Sequence, residues 1–188
     1  NTVNIDNAIT LNDGTLSITG ASSLAGALTL ANGTSNTITA NGGATFAMDN
    51  AISGSGALTL QGAGSYTLND NITTSSLTAN SNVTLGAATI ETTGAQSYAN
   101  ALTLAGAATL RSTGSTFDID STINGNFGLT VNSSGALSLA GAIGGGTALN
   151  SLSLTGSAIS LDGGSVTTVG NQSYSGLVTL GADTTFTN

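Results

Sequence analysis

The fold is decided by two similar stretches, ITLNDGTLSITGASSLAGALTLA (Ile9 to Ala31) and VTLGAATIETTGAQSYANALTLA (Val83 to Ala105). They are identical at 13 of 23 positions when Ile9 is aligned with Val83, and a third copy starts at Ile159. Self-similarity at a fixed period, here about 74 residues, indicates a repeat architecture. We therefore divide the single repeat region 1–188 into the tail of a preceding unit (1–8), unit one (9–82), unit two (83–158) and a partial unit three (159–188).

Each unit contains a smaller motif, in which two apolar residues flank a Thr or Ser. Examples are Ile9-Thr10-Leu11, Leu102-Thr103-Leu104 and Leu152-Ser153-Leu154. Alternation with a period of two predicts a short strand whose apolar residues face inward and whose hydroxyl faces outward. Pairs such as NG, DG and GG between the triplets supply turns. Because no pattern of helical period occurs, the chain is predicted to be all-β.

Three architectures use many short strands: a sandwich, a propeller and a β-solenoid. The long repeat period disfavours a sandwich, and the four Phe and three Tyr are too few for the aromatic signatures of propeller blades. We therefore predict a parallel β-helix (β-solenoid), right-handed because parallel connections favour that hand. A unit would divide into three coils of about 25 residues or four of about 18–19, and we favour the shorter coil. Nine or ten such coils predict a rod about 45 Å long.

The composition excludes much chemistry. The chain has nine Asp and Glu against one Arg, a net charge of −8, and no Lys, His, Cys, Pro or Trp. Without His or Cys it has no imidazole base, thiolate, disulfide or zinc site. One cation cannot neutralise a nucleic-acid backbone or an anionic lipid surface, and no apolar stretch is long enough to span a bilayer. We expect no enzyme activity, no cofactor, no nucleic-acid partner and no membrane insertion by this segment.

Paired carboxylates are the strongest candidate for chemistry. Asp118 and Asp120 flank Ile119, so both side chains would lie on one side of a strand, about 7 Å apart. Such a pair suits glycoside hydrolysis or a calcium site. In unit one the equivalent residues are Ala47 and Asp49, so only one carboxylate is repeated, and the GGxGxD tandems of calcium solenoids are missing. We assign no catalytic, cofactor-binding or metal-binding residue.

The outward hydroxyls raise a second possibility, a face that binds ice or glycan. Paired Thr occur at Thr37-Ile38-Thr39 and Thr185-Phe186-Thr187, but such pairs do not recur at coil spacing, and Thr also suits any exposed strand position. Tyr98 and Tyr174 occupy the repeat position that Leu24 holds in unit one. A Leu/Tyr exchange predicts a partly buried packing position and not a platform for sugars.

Two stretches resemble the repeats of filamentous-haemagglutinin-like exoproteins and autotransporter-type adhesins, which are very large bacterial surface proteins. They are TVGNQSYSGLVTLGADTTF (Thr168 to Phe186) and TTGAQSYANALTLAGAATL (Thr92 to Leu110). The shared pattern runs through Gly170, Gln172, Tyr174, Gly176, Val178, Thr179, Leu180 and Gly181. The resemblance implies a right-handed parallel β-helix, secretion and a surface-exposed stalk. The family's secretion module carries an Asn-Pro motif, and this chain has no Pro.

Together these observations predict a stalk or fibre segment of a secreted bacterial surface protein, located outside the cell. A host or surface glycan is a candidate partner for the alternative role as a binding module. The terminal coils of a solenoid present unpaired strand edges, and this chain has no Pro or Lys to block edge pairing. We therefore expect that neighbouring sequence continues the stack or that copies associate end to end into filaments.

Overall fold

A computed structural model describes residues 3–31, 33 and 35–188. For Val3 it describes only the backbone. Every regular element that it describes is a β-strand. The strands, in chain order, are β1 (Val3–Ile5), β2 (Ile9–Leu11), β3 (Thr15–Ile18), β4 (Ser22–Leu24), β5 (Leu28–Leu30), β6 (Asn36–Ala40), β7 (Thr45–Met48), β8 (Ile52–Gly54), β9 (Leu58–Gln61), β10 (Ser65–Leu68), β11 (Ile72–Thr74), β12 (Leu77–Ala79), β13 (Asn82–Leu85), β14 (Thr89–Thr92), β15 (Gln96–Tyr98), β16 (Leu102–Leu104), β17 (Ala108–Ser112), β18 (Phe117–Ile119), β19 (Ile123–Asn124), β20 (Gly128–Ser133), β21 (Leu137–Leu139), β22 (Ser151–Leu161), β23 (Ser165–Thr167), β24 (Gln172–Leu180) and β25 (Thr185–Thr187).

The strands pair in parallel with the third strand before and after them, which defines a three-sided solenoid. Face 1 runs from β1 through β4, β7, β10, β13, β16 and β19, continues through a bridge at Ile143, and ends with β23 and β25. Face 2 starts at β2 and ends with the first halves of β22 and β24, whereas face 3 starts at β3 and ends with their second halves. The predicted parallel β-helix is confirmed, and its hand stays a prediction.

Each coil contains about 20 residues, at the short end of the range for solenoid repeats. On face 1, nine successive pairings lead from β1 to β25. The shortest of these steps leads from Tyr66 to Val83 and the longest from Ser22 to Phe46. The solenoid therefore has about nine turns and a length of about 43 Å at the spacing of neighbouring strands. The turns absorb the differences in coil length, so the strands remain in register.

The repeat unit does not contain a whole number of coils, so the expected division into four coils of about 18–19 residues is wrong. Leu28 lies on face 2 in β5, but its repeat equivalent Leu102 lies on face 1 in β16. The two are eleven strands apart, which is three and two-thirds coils. Leu24, Tyr98 and Tyr174, which align in the sequence, accordingly lie on faces 1, 3 and 2. Each unit thus begins one face away from the preceding unit.

One continuous core fills the solenoid. In the triplet Leu102-Thr103-Leu104 both leucines are buried and the threonine is exposed, as the period-two pattern predicts. Side chains at equivalent positions stack along the axis because the strands are paired in register. On face 2, for example, Ile52, Ile72, Ile90 and Leu110 form one buried ladder.

Candidate functional site

A column of hydroxyl groups runs along face 3. Strand pairing places eight Ser or Thr and one Asp at successive outward positions, one per coil. The members of this hydroxyl column are Thr15, Thr37, Thr59, Thr78, Ser97, Asp118, Ser138, Ser160 and Thr179. Neighbouring members are about 4.8 Å apart, the spacing of paired strands. The column thus runs through nine successive coils and is interrupted by a single carboxylate.

The sequence analysis missed this column, although it noted the hydroxyl in each triplet. Coils differ in length, so spacing in the sequence does not show which triplets share a face. The two pairs of threonines named in the sequence analysis lie on different faces, in agreement with their irregular spacing in the sequence. Thr37 and Thr39 lie on face 3, whereas Thr185 and Thr187 lie on face 1.

The two carboxylates of the candidate acid pair do lie on the same side of β18. Asp118 is half-buried in the hydroxyl column between Ser97 and Ser138, and Asp120 is exposed just beyond the end of the strand. Burial, and to a lesser extent the charge of Asp120, raise the pKa of Asp118. In the described part of the chain, no group of three or more acidic, His or Cys side chains is placed to hold a metal ion.

We expect Asp118→Ser to stabilise the protein at pH 7, because it removes a carboxylate whose charged form is disfavoured by burial. The gain should be at most about 0.5 kcal/mol, since Asp118 is only partly buried and solvent screens its charge. The pKa of Asp118 is raised in the folded state, so folding binds a proton in the interval between the unfolded and folded pKa values. The stability of the native chain therefore falls as the pH rises through this interval. The advantage of the variant should vanish below about pH 3, where the carboxyl is protonated in both states. Urea unfolding at pH 3 and pH 7 measures it, and an equal difference at both pH values would contradict it.

The Gln-x-Tyr motif, which is part of the family resemblance, lies in the interior of the solenoid. Gln96 and Tyr98 are buried on face 3, and the Tyr98 hydroxyl donates to Gln96 Oε1 at 3.1 Å. Gln96 Nε2 donates to the carbonyl oxygens of Ile90, at 3.1 Å, and of Arg111, at 2.6 Å, which belong to its own coil and the next. The Gln96 amide therefore joins two coils at a corner of the solenoid.

The same arrangement recurs one unit later on another face. Tyr174 donates to Gln172 Oε1 at 2.8 Å, and Gln172 Nε2 donates to the carbonyl oxygens of Val166 and Thr187. Tyr98 has 1% of its surface exposed and Tyr174 is partly buried, so the expectation that they are packing residues is confirmed. The Gln-x-Tyr motif is a corner clamp and not a surface that could bind sugars.

We expect Gln96→Leu to destabilise the fold by about 2–3 kcal/mol. A leucine of similar size removes the donor from two carbonyl oxygens and leaves the buried Tyr98 hydroxyl without its acceptor. Tyr98→Phe alone should cost about 1 kcal/mol, but it should cost less in the Gln96→Leu background, where that hydroxyl has already lost its partner. A double-mutant cycle in urea measures the coupling, and additive effects would contradict the clamp.

Not all hydroxyls face outward, which corrects the simple triplet rule. Thr74, Thr92, Ser112 and Ser133 form a buried row at the corner between faces 2 and 3. Each donates to a backbone carbonyl of the turn, for example Ser112 to Gly94 at 2.7 Å and Ser133 to Ser115 at 3.1 Å. Small hydroxyls are found here because turn carbonyls inside the solenoid need donors that water cannot supply.

Comparison with known proteins gave no match, either to a family model, to a curated protein or to a solved structure. The resemblance to filamentous-haemagglutinin-like exoproteins therefore stays a prediction. The described residues include no helix that is long and apolar enough to cross a membrane.

Proposed function

We propose that this chain is a structural rod, a stalk or fibre segment of a secreted bacterial surface protein with no catalytic role. The observation that carries the proposal is the eleven-strand unit on a three-sided solenoid. Each repeat preserves the inward apolar positions and moves them to another face. Residues that face outward in one unit therefore point in a different direction in the next. Such a repeat maintains the stack and its length, and it does not bring the same residue of successive units onto one face.

On this proposal, the length of the rod is proportional to the number of repeat units in the chain. Duplicating residues 83–158 adds eleven strands, and because the three faces accept the same inward pattern, the inserted unit should fold into the stack. We expect the rod to lengthen by about 18 Å at unchanged width. Small-angle scattering measures both dimensions, and circular dichroism checks that the added residues are β-structured.

A shuffled insert of the same composition is the control, since it keeps the residues and destroys the strand pattern. A duplicated chain that is wider instead of longer, or unfolded like the control, would contradict the proposal.

The extracellular location has its own test, which is labelling of intact cells with an antibody against the rod.

The hydroxyl column favours a second function, recognition of ice or of an extended glycan by face 3. Eight aligned hydroxyls at regular spacing could each hydrogen-bond one repeat of a periodic ligand, although Asp118 interrupts the row. Replacing Thr37, Thr59 and Thr78 together by Val tests this function. The matched control replaces Thr67, Thr84 and Thr103, which form an outward row on face 1. Thermal hysteresis and a glycan array are the readouts, and equal results for both variants would exclude face 3 as the binding surface.

A further inference from the structure

Asparagine is followed by glycine at Asn41-Gly42 and at Asn124-Gly125, both in the described part of the chain. A third pair begins at Asn32, which lies outside the described residues. An asparagine in this position can react with its own backbone, because glycine has no side chain that shields its nitrogen. The reaction requires that this nitrogen is free and can approach Cγ of the asparagine. The structure places the two described pairs in opposite situations.

The pair Asn41-Gly42 lies in an open turn that connects β6 on face 3 with β7 on face 1. The Ala44 N–H donates to the Asn41 carbonyl oxygen at 3.1 Å, and Gly42 and Gly43 have φ angles of +63° and +73°. These are the features of a type I′ turn. Both glycines are exposed, and an added Cβ at either would meet no atom within 4 Å. The Gly42 N–H donates to no group among the described residues, so this nitrogen is free to react.

The side chain of Asn41 is only weakly restrained. Within the described structure its one hydrogen bond runs from Nδ2 to Ser17 Oγ, at 3.0 Å, on the exposed surface. Water can replace such a bond with little loss of free energy. The rotation that brings Cγ of Asn41 to the Gly42 nitrogen therefore needs no opening of the fold.

The pair Asn124-Gly125 is held at both reacting groups. Asn124 Oδ1 accepts from the N–H groups of Gly146 and Thr147 in the next coil, at 2.8 and 3.0 Å. The Gly125 N–H donates to the Thr147 carbonyl oxygen at 3.2 Å, and Gly125 is buried. Both groups are thus directed to the neighbouring coil and away from each other. The same reaction at Asn124 would require that this corner opens first.

We propose that Asn41 is a site of spontaneous covalent modification to aspartate or isoaspartate, and that the fold protects Asn124 from the same reaction. In the first step the Gly42 nitrogen forms a bond to Cγ of Asn41, and the bond between Cγ and Nδ2 breaks. The Gly42 amide proton leaves with Nδ2 as ammonia, and a cyclic imide remains. Water then adds to either carbonyl of the imide and opens it to aspartate or isoaspartate, with no oxidation or reduction. The reaction needs only water and this turn, so it occurs whether or not the chain serves as a rod.

The modification places a carboxylate at the corner between faces 3 and 1. It adds one negative charge to a chain whose net charge is already −8. Isoaspartate also lengthens the backbone by one methylene group, for which the space around Gly42 and Gly43 leaves room. We therefore expect that the modified chain keeps its fold and accumulates with age as a more acidic species.

Ageing of the whole chain in mildly alkaline buffer, with and without urea, tests the proposal. Fragmentation mass spectrometry of proteolytic peptides assigns each change of an amide to an acid to its residue. In the folded chain the change should accumulate at Asn41 and be at least about tenfold slower at Asn124, where it must wait for local opening. In urea the two pairs should react at similar rates, since neither is then held by the fold.

Two matched variants test the role of the Gly42 nitrogen. Gly42→Ala and Gly43→Ala both place a methyl group in open space at a residue with positive φ, so their strain is comparable. Only Gly42→Ala shields the attacking nitrogen. It should slow the reaction at Asn41 severalfold, whereas Gly43→Ala should leave the rate nearly unchanged.

Three outcomes would overturn the proposal. The first is an equal rate at Asn41 and Asn124 in the folded chain, because the fold would then not select between the two pairs. The second is a reaction of Asn41 in urea but not in the folded chain. The third is an equal effect of Gly42→Ala and Gly43→Ala. Circular dichroism of the acidic species, separated by ion exchange, should match that of the unmodified chain, and a loss of β-structure would show that the turn does not accommodate the modification.

Discussion

Leu102→Asp is expected to destabilise the solenoid by about 4 kcal/mol or more. The Leu102 side chain has no exposed surface and lies in the face 1 ladder between Val83 and Ile123, which are also buried. An aspartate at this position would have to bury an unpaired carboxylate or force the coil open. The net stability of a domain of this size is about 5–15 kcal/mol, so such a loss would unfold a large part of the rod.

Thr103→Asp is the matched control, since it introduces the same carboxylate one residue along the strand. Thr103 points outward on the described surface and has Thr84 and Asn124 as neighbours in the adjacent coils. We expect it to cost less than about 1 kcal/mol, the range of strand preferences at exposed positions. Urea unfolding followed by circular dichroism compares the two variants, and similar losses would mean that the inward and outward positions of the triplets are assigned wrongly.

Gly125→Ala is expected to have the second largest effect, a loss of about 2–4 kcal/mol. Gly125 has a φ angle of +130°, a conformation that residues with a side chain rarely adopt. A Cβ at this position would also overlap the carbonyl oxygen of Leu104 in the preceding coil. The chain approaches its neighbour so closely here that only glycine fits, and the repeat equivalent Gly54 has the same combination of φ and close approach.

Gly20→Ala is the corresponding control. An added Cβ at Gly20 meets no atom within 4 Å, and its φ angle lies outside the region reserved for glycine. The substitution should change stability by less than about 1 kcal/mol, because the added methyl group meets no clash and restricts the unfolded chain. Thermal unfolding of both variants is the measurement. If Gly125→Ala unfolds at the temperature of Gly20→Ala, the close approach between coils does not constrain the turn.

The sequence predicted the strand pattern well because it depends on local alternation. The inward leucines and the outward threonine of β16 follow from a period of two, because successive side chains of any β-strand point to opposite faces. The offset that aligns Asp49 with Asp120 also aligns Gly54 with Gly125 in the sequence. The candidate acid pair was placed correctly on one side of β18, because Asp118 and Asp120 are two residues apart in an extended segment.

The arrangement of faces could not be predicted, because coil length is decided at the turns. A turn can be extended by several residues with little cost as long as the flanking strands pair in register. The division of the unit into whole coils failed for this reason. The hydroxyl column on face 3 was missed for the same reason, since the step from Thr59 to Thr78 is shorter than the step from Thr15 to Thr37.

The sequence by itself determined an all-β repeat with an alternating apolar interior and little charge. Only the tertiary structure decided that there are three faces, that a unit covers eleven strands, and that Gln96 and Gln172 clamp different corners. The physical reason is the range of the interactions. Side-chain alternation is set within a strand, whereas face, register and the partners of a buried amide depend on which coil stacks on which.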